Sequence, residues 1–151
     1  MAKLTVVVGL PGSGKTHLIR NLRSSHSGLC VEDFMADSID RSSRFTHSKH
    51  YPELIRALRA GKDSAIADIE YCDTSKRLEL EQVVGQDVDG LSLVWMFFEN
   101  DLAQCLLNIE RRNGSKKEAE KRKAQELSCR YFIPQRGVIV PVWRPDESNL
   151  A

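Results

Sequence analysis

Gly9-Leu10-Pro11-Gly12-Ser13-Gly14-Lys15-Thr16 constrains this chain more than any other stretch. It fits G-x-x-x-x-G-K-[ST], the phosphate-binding loop, and its setting matters as much as its letters. The run Leu4-Thr5-Val6-Val7-Val8 before it is apolar and rich in β-branched residues, which predicts a buried strand. After it, Leu18, Ile19 and Leu22 fall on one helical face. Strand, glycine loop and helix are the context the motif needs. The glycines let backbone N–H groups converge on phosphate oxygens, and the helix N-terminus adds positive potential, so Gly9, Pro11, Gly12, Ser13 and Gly14 are the candidate nucleotide-binding loop. Lys15 reaches the β- and γ-phosphates, and the Thr16 hydroxyl is a ligand for Mg²⁺.

The rest of the chain alternates strand and helix signals. Leu29-Cys30-Val31 reads as a short second strand ending at Glu32-Asp33-Phe34. Residues 35–50 are polar and without period, a length at which loops are often functional. Pro52 opens a helix with Leu54, Ile55 and Leu58 on one face and Gly61 as its stop. Ser64 to Ile69 is a third strand. Thr74 or Ser75 caps a helix carrying Leu78, Leu80, Val83 and Val84. Leu91 to Phe98 is the strongest strand. Asn100 or Asp101 caps the next helix, with Leu102, Cys105, Leu106 and Ile109 at i, i+3, i+4 and i+7. Asn113-Gly114-Ser115 breaks it, residues 116–130 form a polar helix, and Gly137 to Val142 is a last strand. Five strands alternating with helices predict a three-layer α/β sandwich around a mostly parallel five-stranded sheet. Its ligand then lies at the C-terminal strand edge.

Composition narrows the classes of partner. The chain has 151 residues, enough for one ordinary domain, and a net charge of +1. Nothing in that balance pulls it toward nucleic acid or a membrane, and no apolar run has the length to span a bilayer. No signal peptide is evident, since the first apolar run leads straight into the glycine loop. Cys30, Cys72, Cys105 and Cys129 lack metal-type spacing, which fits reduced thiols in a cytoplasmic protein.

A phosphate loop holds a nucleotide, and other residues decide its fate. Asp68 ends the third strand, where a carboxylate beside the loop holds Mg²⁺ directly or through water. Glu32 and Asp33 end the second strand, where a carboxylate accepts a proton from an attacking hydroxyl; of the two, Asp33 is preferred. Residues 110–123 hold seven Lys or Arg against three Glu and straddle the break at Asn113-Gly114. Charge runs are usually solvated faces. A lid over residues 111–123 that closes on a triphosphate would need such a hinge and such cations. Trp95 and Trp143 read as core or edge aromatics.

Taken together, the glycine loop, the strand-two acids, Asp68 and the basic helix break resemble the polynucleotide-kinase-like branch of the P-loop kinases. That branch includes phage polynucleotide 5′-hydroxyl kinases and zeta-toxin-like kinases. Val6 to Thr16 is close to its N-terminal pattern, and Arg112-Asn113-Gly114-Ser115-Lys116 is similar to its lid. The resemblance implies that Arg112 lies near adenine and Lys116 near the phosphates. It also aligns Glu32 with the family's aspartate, and sets Met35 where the family has an acceptor-binding arginine. Motifs of neighbouring families are missing: D-G-[FY]-P-R of adenylate kinases, the triple glycine of shikimate kinases, and N-K-x-D of GTPases.

The expectation is an ATP-dependent kinase in a single domain, residues 1–151, using Mg²⁺. The γ-phosphate goes to a hydroxyl acceptor, first of all a polynucleotide 5′-hydroxyl or a hydroxylated base in DNA. A small-molecule or nucleoside kinase is the alternative within the class, and an ATP-dependent switch without an acceptor is the rival outside it. No membrane is involved, and the setting is cytoplasmic, that of the host if the chain is phage-encoded.

Overall fold

The structure, a computed structural model, describes residues 2–25, 31–33, 51–112, 114–135 and 137–145. Its five strands are β1 (Lys3–Val8), β2 (Val31–Asp33), β3 (Asp63–Ala67), β4 (Ser92–Phe98) and β5 (Val138–Val140). They form one sheet in the order β2-β3-β1-β4-β5, with every pairing parallel. The helices are α1 (Lys15–Ser25), α2 (Tyr51–Arg59), α3 (Thr74–Asp87), α4 (Leu102–Glu110) and α5 (Lys117–Ser128). A short 3-10 turn, Ile69–Cys72, follows β3.

β1 is central because its sequence is apolar on both faces, as a strand covered by helices on either side must be. Alternation along it feeds two cores. Leu4, Val6 and Val8 join Leu54, Leu58, Ile66, Leu80 and Val84 in one cluster. Val7 joins Ile19, Ala65, Ala67 and Phe98 in the other. The period-2 geometry of a strand makes this division, and it fixes α1 against one face. Leu4, Val6, Val7 and Val8 are fully buried; such a side chain contributes roughly 1.5–3 kcal/mol. This is the three-layer α/β arrangement that the strand–helix alternation predicts.

Local details differ from expectation at three places. β3 runs from Asp63 to Ala67, so Asp68 follows the strand and Ile69 opens the 3-10 turn; β2 ends at Asp33 as expected, and Leu29 and Cys30 lie outside the described residues. The N-cap of α3 is Asp73, not Thr74 or Ser75, and its side chain makes no capping bond. Its carboxylate turns instead to Arg130, 3.4 Å away. Leu78 is exposed, because only Leu80 and Val84 of that helix's apolar residues are fully buried.

Candidate nucleotide site

β1 delivers the chain to the C-terminal edge of the sheet, and the glycine loop turns it into α1. Gly12 and Gly14 take positive φ, 84° and 107°, a conformation that side chains rarely adopt. A Cβ on Gly12 would lie 2.5 Å from the Cys105 carbonyl oxygen, and one on Gly14 would lie 2.7 Å from Trp143 Cβ. The loop is therefore held against α4 and the segment after β5 with no room for side chains. The Ser13 N–H donates to the Leu10 carbonyl at 3.1 Å and closes the turn. α1 then begins at Lys15 with no acid in its first turn, so its free N–H groups and positive dipole end face the loop unopposed.

Lys15 folds back over the loop. Its Nζ donates to the carbonyls of Gly9 at 3.0 Å and Leu10 at 2.8 Å. Burial holds its ammonium below the ordinary lysine range, against the raising influence of Cys72 and Asp68. An arriving phosphate would supply the negative charge that this cation lacks. The Cys72 thiol donates to the same Gly9 carbonyl at 3.4 Å, and burial pushes it up to about 11. Thr16 is partly exposed at the start of α1.

Register explains which acid comes near. Val7 of β1 pairs with Ala67 of β3, so Asp68 leaves the sheet level with Val8, at the root of the loop. Its carboxylate accepts from the Glu70 N–H at 2.9 Å and caps the 3-10 turn. Arg77 clamps that turn from behind: buried, it donates to the carbonyls of Tyr71 at 2.6 Å and Cys72 at 3.3 Å. Thr16 and Asp68 make a donor set of one hydroxyl and one carboxylate. That fits Mg²⁺, which keeps several waters and takes the rest of its ligands from phosphates.

Glu32 and Asp33 stand lower. Asp33 pairs with Ala65, and Ala65 with Thr5. That is three residues short of Asp68, or about 10 Å along a strand. The structure thus brings Lys15, Thr16 and Asp68 to one edge and leaves the backbone of the two strand-two acids beneath it. Met35, Asp37 and Asp40 lie outside the described residues.

Across the sheet edge, α4 ends at Glu110 and α5 begins at Lys117, with the helix break between them. Ion pairs strap the two sides together: Lys121 with Glu110, and Arg112 Nη1 with Glu120 at 3.3 Å. These are exposed pairs, each of little energy and easily exchanged. Arg112 is close enough to act on Lys15 electrostatically, whereas Lys116 is exposed at the N-cap of α5.

The parts played by three residues here were not foreseen from sequence. Asn108, 5% exposed, donates to the Gly12 carbonyl at 2.9 Å and to the Trp143 carbonyl at 2.7 Å. The Trp143 N–H donates to the Ser13 carbonyl at 3.0 Å, and its indole lies 5.5 Å from the His17 ring. Tyr131 donates to the Phe98 carbonyl at 2.5 Å, with the Val8 carbonyl 3.3 Å away, joining the ends of β4 and β1. The signal for Asn108 was present: it stands three residues after Cys105, a polar residue on the buried stripe of α4.

No protein-family model matches the chain. The uncharacterized protein R277 of Acanthamoeba polyphaga mimivirus is 31% identical to it over 117 residues, 76% of each chain. A gluconokinase from Sinorhizobium meliloti 1021 has TM-score 0.61 at 16% identity, over 97% of this chain and 86% of that one. Kti12 from Chaetomium thermophilum, solved with ADP-AlF3, has 0.61 at 21%, over 96% and 92%. A fungal RNA kinase has 0.58 at 12%, over 96% and 77%. The fold is that of the P-loop kinases, as the resemblance of the glycine loop implies. No helix of the described residues is long and apolar enough to cross a membrane.

Proposed function

This chain belongs to the same family as mimivirus protein R277, and from its glycine loop and fold we propose that it is an ATP-dependent kinase acting on a hydroxyl acceptor. One observation carries the reading. The glycine loop, Lys15 and the acid-free start of α1 converge on one point at the sheet edge, with Asp68 beside it. That arrangement supports a site for a polyphosphate with its metal.

In this reading Gly9, Pro11, Gly12, Ser13 and Gly14 wrap the β-phosphate, and Lys15 leaves the Gly9 and Leu10 carbonyls to meet the β- and γ-oxygens. Thr16 and Asp68 hold Mg²⁺, which when bound neutralises phosphate charge. The acceptor oxygen bonds to the γ-phosphorus as the bond from that phosphorus to the β–γ bridging oxygen breaks, and ADP leaves. The acceptor's proton passes to a carboxylate. Asp33 is our first choice and Glu32 the second, with Asp37 and Asp40 as the acids that follow them along the chain. Residues 111–123 act as a lid in which Arg112 lies against adenine and Lys116 approaches the phosphates.

For the acceptor, a polynucleotide 5′-hydroxyl or a hydroxylated base in DNA is our preference. It rests on the glycine-loop and lid patterns and on the likeness to a fungal RNA kinase, while the gluconokinase carries the same fold with a small acceptor. The free thiols of Cys72, Cys105 and Cys129 support a cytoplasmic setting. The test is ATP turnover with and without hydroxyl compounds. A kinase turns over far faster with its acceptor than with water. Equal rates across a broad panel, with ATP bound, would make the protein a nucleotide switch instead.

A further inference from the structure

We infer that Asn108 is a positioning residue for the phosphate-binding loop, acting through the carbonyls of Gly12 and Trp143. The inference rests on the reading that this loop binds a nucleoside triphosphate. Asn108 is buried on α4, and every polar atom of its side chain is engaged. Nδ2 gives its two hydrogens to Gly12 and Trp143, and Oδ1 accepts from Gln104 Nε2 at 3.0 Å. Two carbonyls on one side demand the amide nitrogen there, so its orientation is determined by its partners.

Helix stability does not account for an asparagine at this position. Asn is a poorer helix former than Leu or Ala, and an apolar residue would continue the stripe of Cys105 and Ile109. What the amide does is reach 96 residues back to the loop. In a trans peptide the C=O and N–H point opposite ways. Trp143 holds the Ser13 carbonyl, so the Gly14 N–H faces away from Trp143. Asn108 in turn holds Trp143 by its own carbonyl, and holds the Gly12 carbonyl as well. Removing the amide frees both carbonyls. The Gly12 peptide is then free to rotate and Trp143 is loosened from the Ser13 carbonyl, so the loop loses the preorganisation on which phosphate binding depends.

The test compares Asn108→Asp, Asn108→Ala and Asn108→Ser with the wild type. ATP–Mg²⁺ affinity is measured by calorimetry, and Trp143 emission is followed in a Trp95→Phe background. Asn108→Asp keeps the shape but sets oxygens against two carbonyls. It should raise Kd for ATP about thirtyfold, the equivalent of two ordinary hydrogen bonds, and shrink the emission change on binding. Asn108→Ser keeps one donor and should recover part of the affinity, which also serves if the Asp variant does not fold. A residue that only fills space gives another pattern: Asn108→Ala unfolds most easily, and Kd of the folded protein stays at the wild-type value throughout. An Asp or Ser variant within about twofold of the wild-type Kd overturns the inference while leaving ATP binding intact. Failure of the wild type to bind ATP overturns the kinase reading, and this inference with it.

Discussion

Replacing Gly12 by alanine separates two costs that a glycine loop carries. The first is conformational: φ of 84° disfavours any side chain, at about 1–3 kcal/mol. The second is steric. The new Cβ would stand 2.5 Å from the Cys105 carbonyl oxygen and 2.9 Å from Ile109 Cγ1, so α4 must yield. Overpacking of that kind costs about 1–3 kcal/mol. Two other glycines serve as controls. Gly61 has nearly the same φ, 82°, but nothing within 4 Å of its would-be Cβ. Gly85 lies in α3, also with open space around it and without a positive φ. Gly85→Ala should stabilise by about 0.5–1 kcal/mol, since helix formation favours alanine. Gly61→Ala should cost about 1–2 kcal/mol, and Gly12→Ala about 3–5 kcal/mol. At about 2–4 °C per kcal/mol for a chain of this size, Gly12→Ala should unfold about 10 °C below the wild type. Urea and thermal unfolding of the three variants check the order. A Gly12→Ala protein as stable as Gly61→Ala would refute the claim that the loop is packed tightly on α4.

Further outcomes follow from the same geometry. Burial raises the Cys72 and Cys105 thiols from 9.0 to about 11, so the unfolded chain releases those protons first. Stability from this source is full below pH 9 and falls as pH rises toward 11, by up to about 1.4 kcal/mol per unit for each thiol. Urea unfolding between pH 8 and 10.5 should show a flatter decline in a Cys72→Ala, Cys105→Ala double variant, and parallel slopes would contradict it. Hydrogen exchange over residues 111–123 should slow when a non-hydrolysable ATP analogue and Mg²⁺ bind; protection at the glycine loop alone would mean a passive helix there. Asp33→Asn should lower phosphoryl transfer by about two to four orders of magnitude with ATP affinity retained. If Glu32→Gln is the damaging change, the family alignment has the right acid. Normal transfer in both singles and the double would move the base to the segment holding Asp37 and Asp40.

Much of the fold was legible because its signals are local. The run of β-branched residues before Gly9, the spacing of Leu18 and Ile19, and the break at Asn113-Gly114 each write an element in the order in which the chain meets it. Strand ends were less legible. Glu32 and Asp33 end the second strand as read, but the third strand reads through Ile69 and in fact stops at Ala67, where its pairing with Val7 of β1 ends and Asp68 caps the 3-10 turn. The cap of α3 was read too late: the helix starts at Thr74, directly after the 3-10 turn, so Asp73 stands at the cap, and its carboxylate faces Arg130, 57 positions away. The candidate site was legible where a motif or a strand-end acid suggests it, at Gly9–Thr16 and Asp68. It was hidden where tertiary packing makes it. Asn108 and Trp143 sit 96 and 130 positions from Gly12 and Ser13, and only the fold brings them to the loop.

The central claim is phosphoryl transfer from ATP at Lys15. Transfer of labelled γ-phosphate to a panel of 5′-hydroxyl oligonucleotides, modified duplexes and small metabolites tests it most directly, with wild type and Lys15→Ala side by side. The account predicts label on one acceptor class with the wild type and none with Lys15→Ala, whose fold should persist because Lys15 is only partly buried and belongs to neither hydrophobic cluster. Undiminished transfer by a folded Lys15→Ala protein would contradict it.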